Sequence, residues 1–384
     1  MTDWAGQQVI AGIGAELLDR LPAGAVAGAP AEQWGSTDEA QVAHWRERLG
    51  AFRGVVTRSP VIDPEALKLV SAETLAEAGV RFLLHSWAVA TVGSGGRVDG
   101  VVFESKSGRR ALLADVVIDT TGDLDVCRQA GASFDADADG SETNIQHCLN
   151  TAWTWGGVDF ARWVAFKRGD PDGHRELMER AKQTLGYVER PNVGWNDSVS
   201  LFVGPRLHGY SGLDVDDLTQ VEFASHRRQA AHLDFFRRHA PGFEHAWVML
   251  TAPQIGVRHT GRVRGRAALR AEDWKAGVRH ADEIGISPSP SAAFANVSVP
   301  YGCLLPTDLS NVLVGGRHVA CDAATQAFMR EIPQCWMTGH AAGAAAALAV
   351  RHGVDPAALD VAELQTTLLA QGAHLENALA APQS

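Results

Sequence analysis

The sequence predicts an α/β fold built in more than one lobe, and three observations carry this. Two short continuous apolar runs, Val116-Val117-Ile118 and Val312-Leu313-Val314, each lead into glycine, the pattern of a strand buried on both faces of a parallel sheet. A helix-forming segment follows each, at residues 123–130 and 333–351. Residues 136–250 differ in character: they hold five of the 11 Trp residues and mix helical with loop patterns, so they read as an inserted lobe. A chain of 384 residues, at roughly 100–200 residues per domain, has room for this arrangement.

The elements follow in order. Residues 1–59 form a residual N-terminal segment, with a short amphipathic helix over 13–21, a Gly/Pro/Ala loop over 22–30 and a polar helix over 34–49. Asp63 and Pro64 are the preferred N-cap and first residue of a helix, and Gly79 ends it. Residues 80–92 are rich in β-formers, Gly93-Ser94-Gly95-Gly96 turns the chain, and strands follow over 97–105 and 110–113. The 116–118 strand and its helix complete a first block, residues 60–135. After the 136–250 lobe, strands at 255–266, 296–303 and 312–314 and the 333–351 helix form a return block over 251–350. Residues 351–384 are a helical tail.

Composition excludes several classes. Lys and Arg number 34 against 45 Asp and Glu, a net charge of −11, so a general nucleic-acid or anionic-membrane surface is not expected. No run approaches 18 apolar residues, and the N-terminus lacks a charged region followed by an apolar one; no membrane span and a cytoplasmic location are expected. Cys127, Cys148, Cys303, Cys321 and Cys335 are scattered, with no C-x-x-C, so neither a disulfide framework nor a metal site is expected.

Two segments carry candidate chemistry. In Asp115-Val-Val-Ile-Asp119-Thr-Thr-Gly122-Asp123 a buried strand ends in small residues, a glycine and an acid. That suits the close passage of a ligand's phosphate or ribose chain, and equally a structural turn. Asn311-Val-Leu-Val-Gly315-Gly316-Arg317-His318 ends in glycines and a cation, and Gly339-His340-Ala341-Ala342-Gly343 follows. Glycine and alanine at a helix start let its amides approach an anionic ligand; they also serve close packing. Arg258 or Arg262 can anchor a carboxylate, or line a solvated strand face in company with Arg264 and Arg266. His147 and His318 are proton-transfer groups by residue type, or histidines satisfied in the core.

Taken in order, Asp63-Pro64-Glu65, the Val116–Asp123 strand end, Gly256-Val-Arg258-His-Thr-Gly-Arg262, Asn311–Arg317 and Gly339–Gly343 resemble the FAD-dependent oxidoreductases distantly related to succinate dehydrogenase and fumarate reductase flavoproteins. The resemblance covers residues 60–135 and 250–350, with a weaker match over 5–22. It implies a Rossmann-like FAD-binding domain with an inserted mixed α+β substrate lobe. It sets Ala88 near the adenine, Thr121, Gly122 and Asp123 near the dinucleotide, and Gly316 and Arg317 near the pyrophosphate or ribityl chain. Gly339, His340 and Ala341 would lie near the isoalloxazine ring. It also puts Arg330 in a turn close to the active site, as a substrate or flavin contact or a structural ion pair; by residue type, His318 and Arg258 are further catalytic candidates.

The family opens with a strand and G-x-G-x-x-G. This sequence has no such opening: Gly12-Ile-Gly14 lacks the third glycine and a preceding strand. The expectation is therefore a fold missing its first βαβ unit. Its function would be hydride transfer between a small organic substrate and flavin, the missing unit reflecting a mis-assigned start, a natural truncation, or a split enzyme whose second chain supplies the nucleotide-binding unit. The alternative is a non-catalytic partner or remnant that has lost FAD.

Overall fold

The structure, a computed structural model, describes residues 1–136 and 148–376. Along the chain, α1 (Ile13–Asp19), α2 (Glu39–Arg46) and α3 (Pro64–Glu77) precede the strands β1 (Trp87–Val92), β2 (Gly100–Ser105), β3 (Gly108–Leu113) and β4 (Val117–Asp119). Then come α4 (Asp125–Gln129), β5 (Trp153–Gly156), α5 (Phe160–Gly169), α6 (Pro171–Leu185), β6 (Ser200–Phe202), α7 (Val215–His239) and β7 (Trp247–Thr251). The chain closes through α8 (Ala271–Lys275), β8 (Glu283–Ser287), β9 (Val297–Pro300), β10 (Val312–Val314), α9 (Ala323–Met329), α10 (Ile332–His352) and α11 (Val361–Ala370).

Contacts divide the chain into two units. The first comprises Met1–Arg20, Leu69–Asp137 and Gly261–Ser384; the second comprises Leu21–Lys68 and Ala138–Thr260.

In the first unit β4 and β10 pair in parallel, Val117 against Val312 through Asp119 against Val314. Both strands are short and apolar, and Val312, Leu313 and Val314 are wholly buried, each worth about 2–3 kcal/mol of burial. Asn311 anchors the pair sideways. Its amide donates to the carbonyls of Val98 (2.7 Å) and Asp115 (2.9 Å), and its oxygen accepts from Val98 N (2.9 Å). The small residues of α10 cover the sheet; Ala341, Ala342, Ala345 and Ala349 are fully buried. Gly353, in the left-handed region at φ 64°, ends the helix. The hairpin strands β1, β2 and β3 form an antiparallel sheet in that order.

The second unit has its own core. Antiparallel strands in the order 192–193, β6, β5, β7 carry Trp153 stacked on Phe202, centroids 4.8 Å apart and 5° from parallel. Trp155, Trp163, Phe236 and Phe243 complete this cluster. Asp214 caps the long α7 by accepting from the amides of Asp216 and Asp217, each at 3.0 Å.

Two expectations need correcting. Residues 80–86 are not strand; the ladder begins at Trp87, and among the described residues no strand pairs with the preceding stretch, whose His85 has a φ of 55°. The expected 255–266 strand is two separate pairs, 256–257 with 149–150 and 262–263 with 134–135, in different units. Gly12-Ile-Gly14, which lacks the third glycine, packs as a helix start: Gly12 precedes α1, and the helix lies so close to α10 that a Cβ on Gly14 would sit 2.7 Å from the Trp336 ring.

Candidate functional site

Two strand ends of the first unit build the site. β4 ends at Asp119, a fully buried carboxylate. Its Oδ1 accepts from the Thr121 amide (3.0 Å) and hydroxyl (2.7 Å), and its Oδ2 from the Cys127 amide (2.9 Å). Residues 120–127 therefore wrap around this one side chain. Burial alone would raise the Asp119 pKa, but His318 and these donors outweigh it and hold the group below the usual carboxylate range. Gly122 at φ 87° cannot be replaced cheaply: a Cβ there would collide with the guanidinium of Arg317.

Arg317 comes from the end of β10, and its Nη2 pairs with Asp123 Oδ2 at 2.8 Å. The two strand ends are thus clamped over Gly122. His318 continues the clamp, donating from Nε2 to the Asp119 carbonyl at 3.0 Å. The His318 ring is fully buried and burial lowers its pKa. The structure thus corrects the proton-transfer expectation for His318: the ring is sealed from any ligand and ties β10 to β4.

Gly316 has φ 106° and open space over its α-carbon, while its amide donates to the Thr338 hydroxyl at 3.0 Å. A ligand can approach this backbone but does not find its N–H free. Gly315 packs against α10: a Cβ on it would lie 3.3 Å from the Gly339 α-carbon. Gly339 is open on its other side, with nothing within 4 Å of a Cβ built there. The helix-start expectation for Gly339, His340 and Ala341 is corrected. α10 begins at Ile332, so these residues lie beyond the first four amides that a helix leaves unbonded. His340 is half-buried, bonding Gln371 Oε1 at 2.7 Å and crowding Gly12.

Arg330 caps α9 with its Nη2 3.6 Å from Glu331 Oε1. Cys335, whose thiol pKa burial pushes up to about 11, lies within electrostatic range of both Arg317 and Arg330. The Nε atoms of Arg317 and Arg330 are buried and have no acceptor among the described residues. Such donors are costly to leave unmade and are rarely left so. An anion arriving beside Gly316 would meet the guanidinium of Arg317, the next residue, so the residues present fit a pyrophosphate-bearing dinucleotide.

Ala88 lies in β1 opposite Phe103 and packs on the first unit's core. Arg258 belongs to the second unit, where its charge, with that of Arg206, acts on the buried Glu189. His147 lies outside the described residues. Among the described residues no group of three His, Cys, Asp or Glu side chains could hold a metal, and no helix is long and apolar enough to cross a membrane. Sequence reasoning missed Gln334 and Thr338, two buried polar residues four apart on α10. The signal was there: polar side chains at helical spacing within a small, apolar stripe.

Three comparisons bear on this site. The sequence matches the family model described as FAD dependent oxidoreductase over residues 1–368. No curated protein matches. Among solved structures, the chain is similar to a flavin-dependent brominase, Bmp2 in triple-mutant form, at 12% identity and TM-score 0.37, covering 82% of this chain and 62% of that one. It is also similar to a geranylgeranyl bacteriochlorophyll reductase-like protein from Thermoplasma acidophilum (11%, TM-score 0.38, covering 84% and 70%). A third is the p-nitrophenol 4-monooxygenase PnpA from Pseudomonas putida (12%, TM-score 0.36, covering 85% and 67%). The chain therefore spans less than two thirds of the brominase's length.

Proposed function

We propose a function from one premise: the chain belongs to the FAD-dependent oxidoreductase family, and its cofactor is FAD. The proposal is an oxidoreductase acting on a small organic substrate. Bound FAD supplies hydride acceptance from, or donation to, that substrate. This chain's residues bind and orient. Arg317 and Arg330 take the pyrophosphate, Thr121, Gly122 and Asp123 flank the dinucleotide, and Ala88 lies on the adenine side. The open faces of Gly316 and Gly339 admit the ribityl chain and the ring system, beside His340 and Ala341. The second unit is the substrate-bearing lobe.

One observation carries the reading: the buried Nε of Arg317 has no acceptor among the described residues, and the residue before it, Gly316, has open space over its α-carbon. The sequence has no G-x-G-x-x-G, and β4 is bonded to β10 alone among the described residues. A second chain bearing that turn would pair along the other edge of β4.

The test is the visible spectrum of the purified chain before and after adding FAD and gel filtration. Flavin bands that persist, and a tenfold or greater loss of affinity in Arg317→Gln, are expected, since a charge-assisted hydrogen bond is worth about 1.5–3 kcal/mol. A colourless protein that takes up no FAD sinks the proposal for this chain acting alone.

A further inference from the structure

The second unit carries a cleft of its own. Its volume is about 460 Å³, within the roughly 300–1,000 Å³ typical of small-molecule sites. The lining follows the periodicity of its elements. Trp163 and Lys167 are four apart on α5. Pro171, His174, Arg175, Met178, Glu179 and Lys182 form one face of α6. Val188 and Arg190 are two apart on an extended segment, so Glu189 between them points away and is buried. Trp163 is buried and, with Met178 and Val188, supplies an apolar wall.

The charges around this wall are unequal. Lys167 is neutralised by Glu47 at 2.8 and 3.0 Å, and Arg175 by Asp172 at 2.8 Å. Glu179 accepts from the Gln183 amide at 3.5 Å. Burial first, and then the Lys167 charge, lowers the His174 pKa against the opposing pull of Glu47, and Arg190 lowers it further. Glu179 keeps its negative charge, since a neutral amide does not cancel it, so Glu179 stands against Lys182 and Arg190. Neither has an ion-pair partner among the described residues, and Arg190 reaches Glu189 only through longer-range attraction. Two cations against one carboxylate give this apolar-walled cleft a net positive charge, in a chain whose net charge is −11.

We propose that this cleft binds a small organic anion: an apolar, ring-sized body against Trp163, Met178 and Val188, carrying a carboxylate taken by Arg190 and Lys182. Guanidinium matches a carboxylate in a bidentate geometry, and the neighbouring apolar wall strengthens the attraction by excluding water. Every lining residue belongs to the second unit, so the site stands independently of the flavin assignment.

Isothermal titration of the FAD-free full chain with benzoate tests this, with benzyl alcohol as the uncharged analogue. Lys182 and Arg190 are exposed, so the double variant Lys182→Gln/Arg190→Gln is expected to fold with an unchanged melting temperature. It should lose at least about tenfold in benzoate affinity while its weaker binding of benzyl alcohol changes less than about twofold. Met178→Trp, which fills the cleft, should abolish both. Absence of benzoate binding, benzoate affinity within twofold of wild type in the double variant, or binding that survives Met178→Trp would each overturn the proposal.

Discussion

His232 is a base that its surroundings hold uncharged. It is 1% exposed on α7, against the ring of Trp153 and in parallel stacking with Phe236. Its Nε2 accepts from the Glu189 amide at 3.0 Å, which assigns the proton to Nδ1, and Nδ1–H donates to the Arg228 carbonyl at 3.2 Å. Burial, aided by the Arg228 charge and opposed by that carbonyl, lowers its pKa to about 4. In the unfolded chain the ordinary value is about 6.5. Between the two, the unfolded state binds a proton that the folded state refuses, so stability rises with pH across the window. The contribution, on the order of 3 kcal/mol, is complete above about pH 6.5 and lost as pH falls towards about 4. Melting followed by Trp fluorescence should show this fall. His232→Gln, which keeps a donor and an acceptor without a titration, should flatten it in the second unit. Identical pH slopes in the two proteins would contradict the argument. His318 pulls in the same direction in the first unit, so some slope remains in the variant. Asp119 adds an acid-side loss: its depressed pKa stabilises above the ordinary carboxylate range and fails as pH falls below it.

At the scale of the element, α10 is the helix on which the site rests. Gly339 sits in its interior, where glycine costs about 1 kcal/mol relative to alanine. Nothing lies within 4 Å of a Cβ built there, so packing does not require the glycine. Gly339→Ala should therefore raise the melting temperature of the FAD-free protein. If the cofactor lies on that face, the same methyl should weaken FAD binding several-fold. A stabilised variant that binds FAD as well as wild type would remove Gly339 from the site.

The helix itself was legible: the sequence placed it at 333–351 and it spans 332–352, because its small-residue stripe and closing glycine are local signals. The strands 116–118 and 312–314 were legible for the same reason. The start of α10 was misjudged at the site, since the glycines that look like a helix opening fall two turns inside it. The clamp of Arg317 on Asp123 joins residues 194 apart in sequence and has no periodic signature. Nor does the Asn311 side chain that bonds Val98 and Asp115 as a strand would. Residues 21–68 group with 138–260 through contacts equally remote in sequence, such as Lys167 with Glu47.

At the scale of the molecule, two separate hydrophobic cores set how a ligand's effect spreads. The first runs through β4, β10 and α10; the second is the Trp and Phe cluster of β5, α5 and α7. Every residue assigned here to the dinucleotide belongs to the first unit. Cooperative opening follows packed units, so amides that exchange by opening one core do not sense a ligand held by the other. FAD at about 100 times its Kd stabilises the state that binds it by about 2.7 kcal/mol, roughly a hundredfold slowing of exchange through that unit's opening. Hydrogen exchange read by mass spectrometry should therefore show FAD protecting peptides from β4, β10 and α10 while those from α5 and α6 change little. Benzoate should give the complementary pattern, with protection in α5 and α6. If FAD protected α5 and α6 as strongly as β10, the two cores would be opening as one, or the dinucleotide would be bound elsewhere. Arg317→Gln separates these outcomes: at the same FAD concentration it cuts the protection everywhere by about tenfold or more in the first case and leaves it intact in the second.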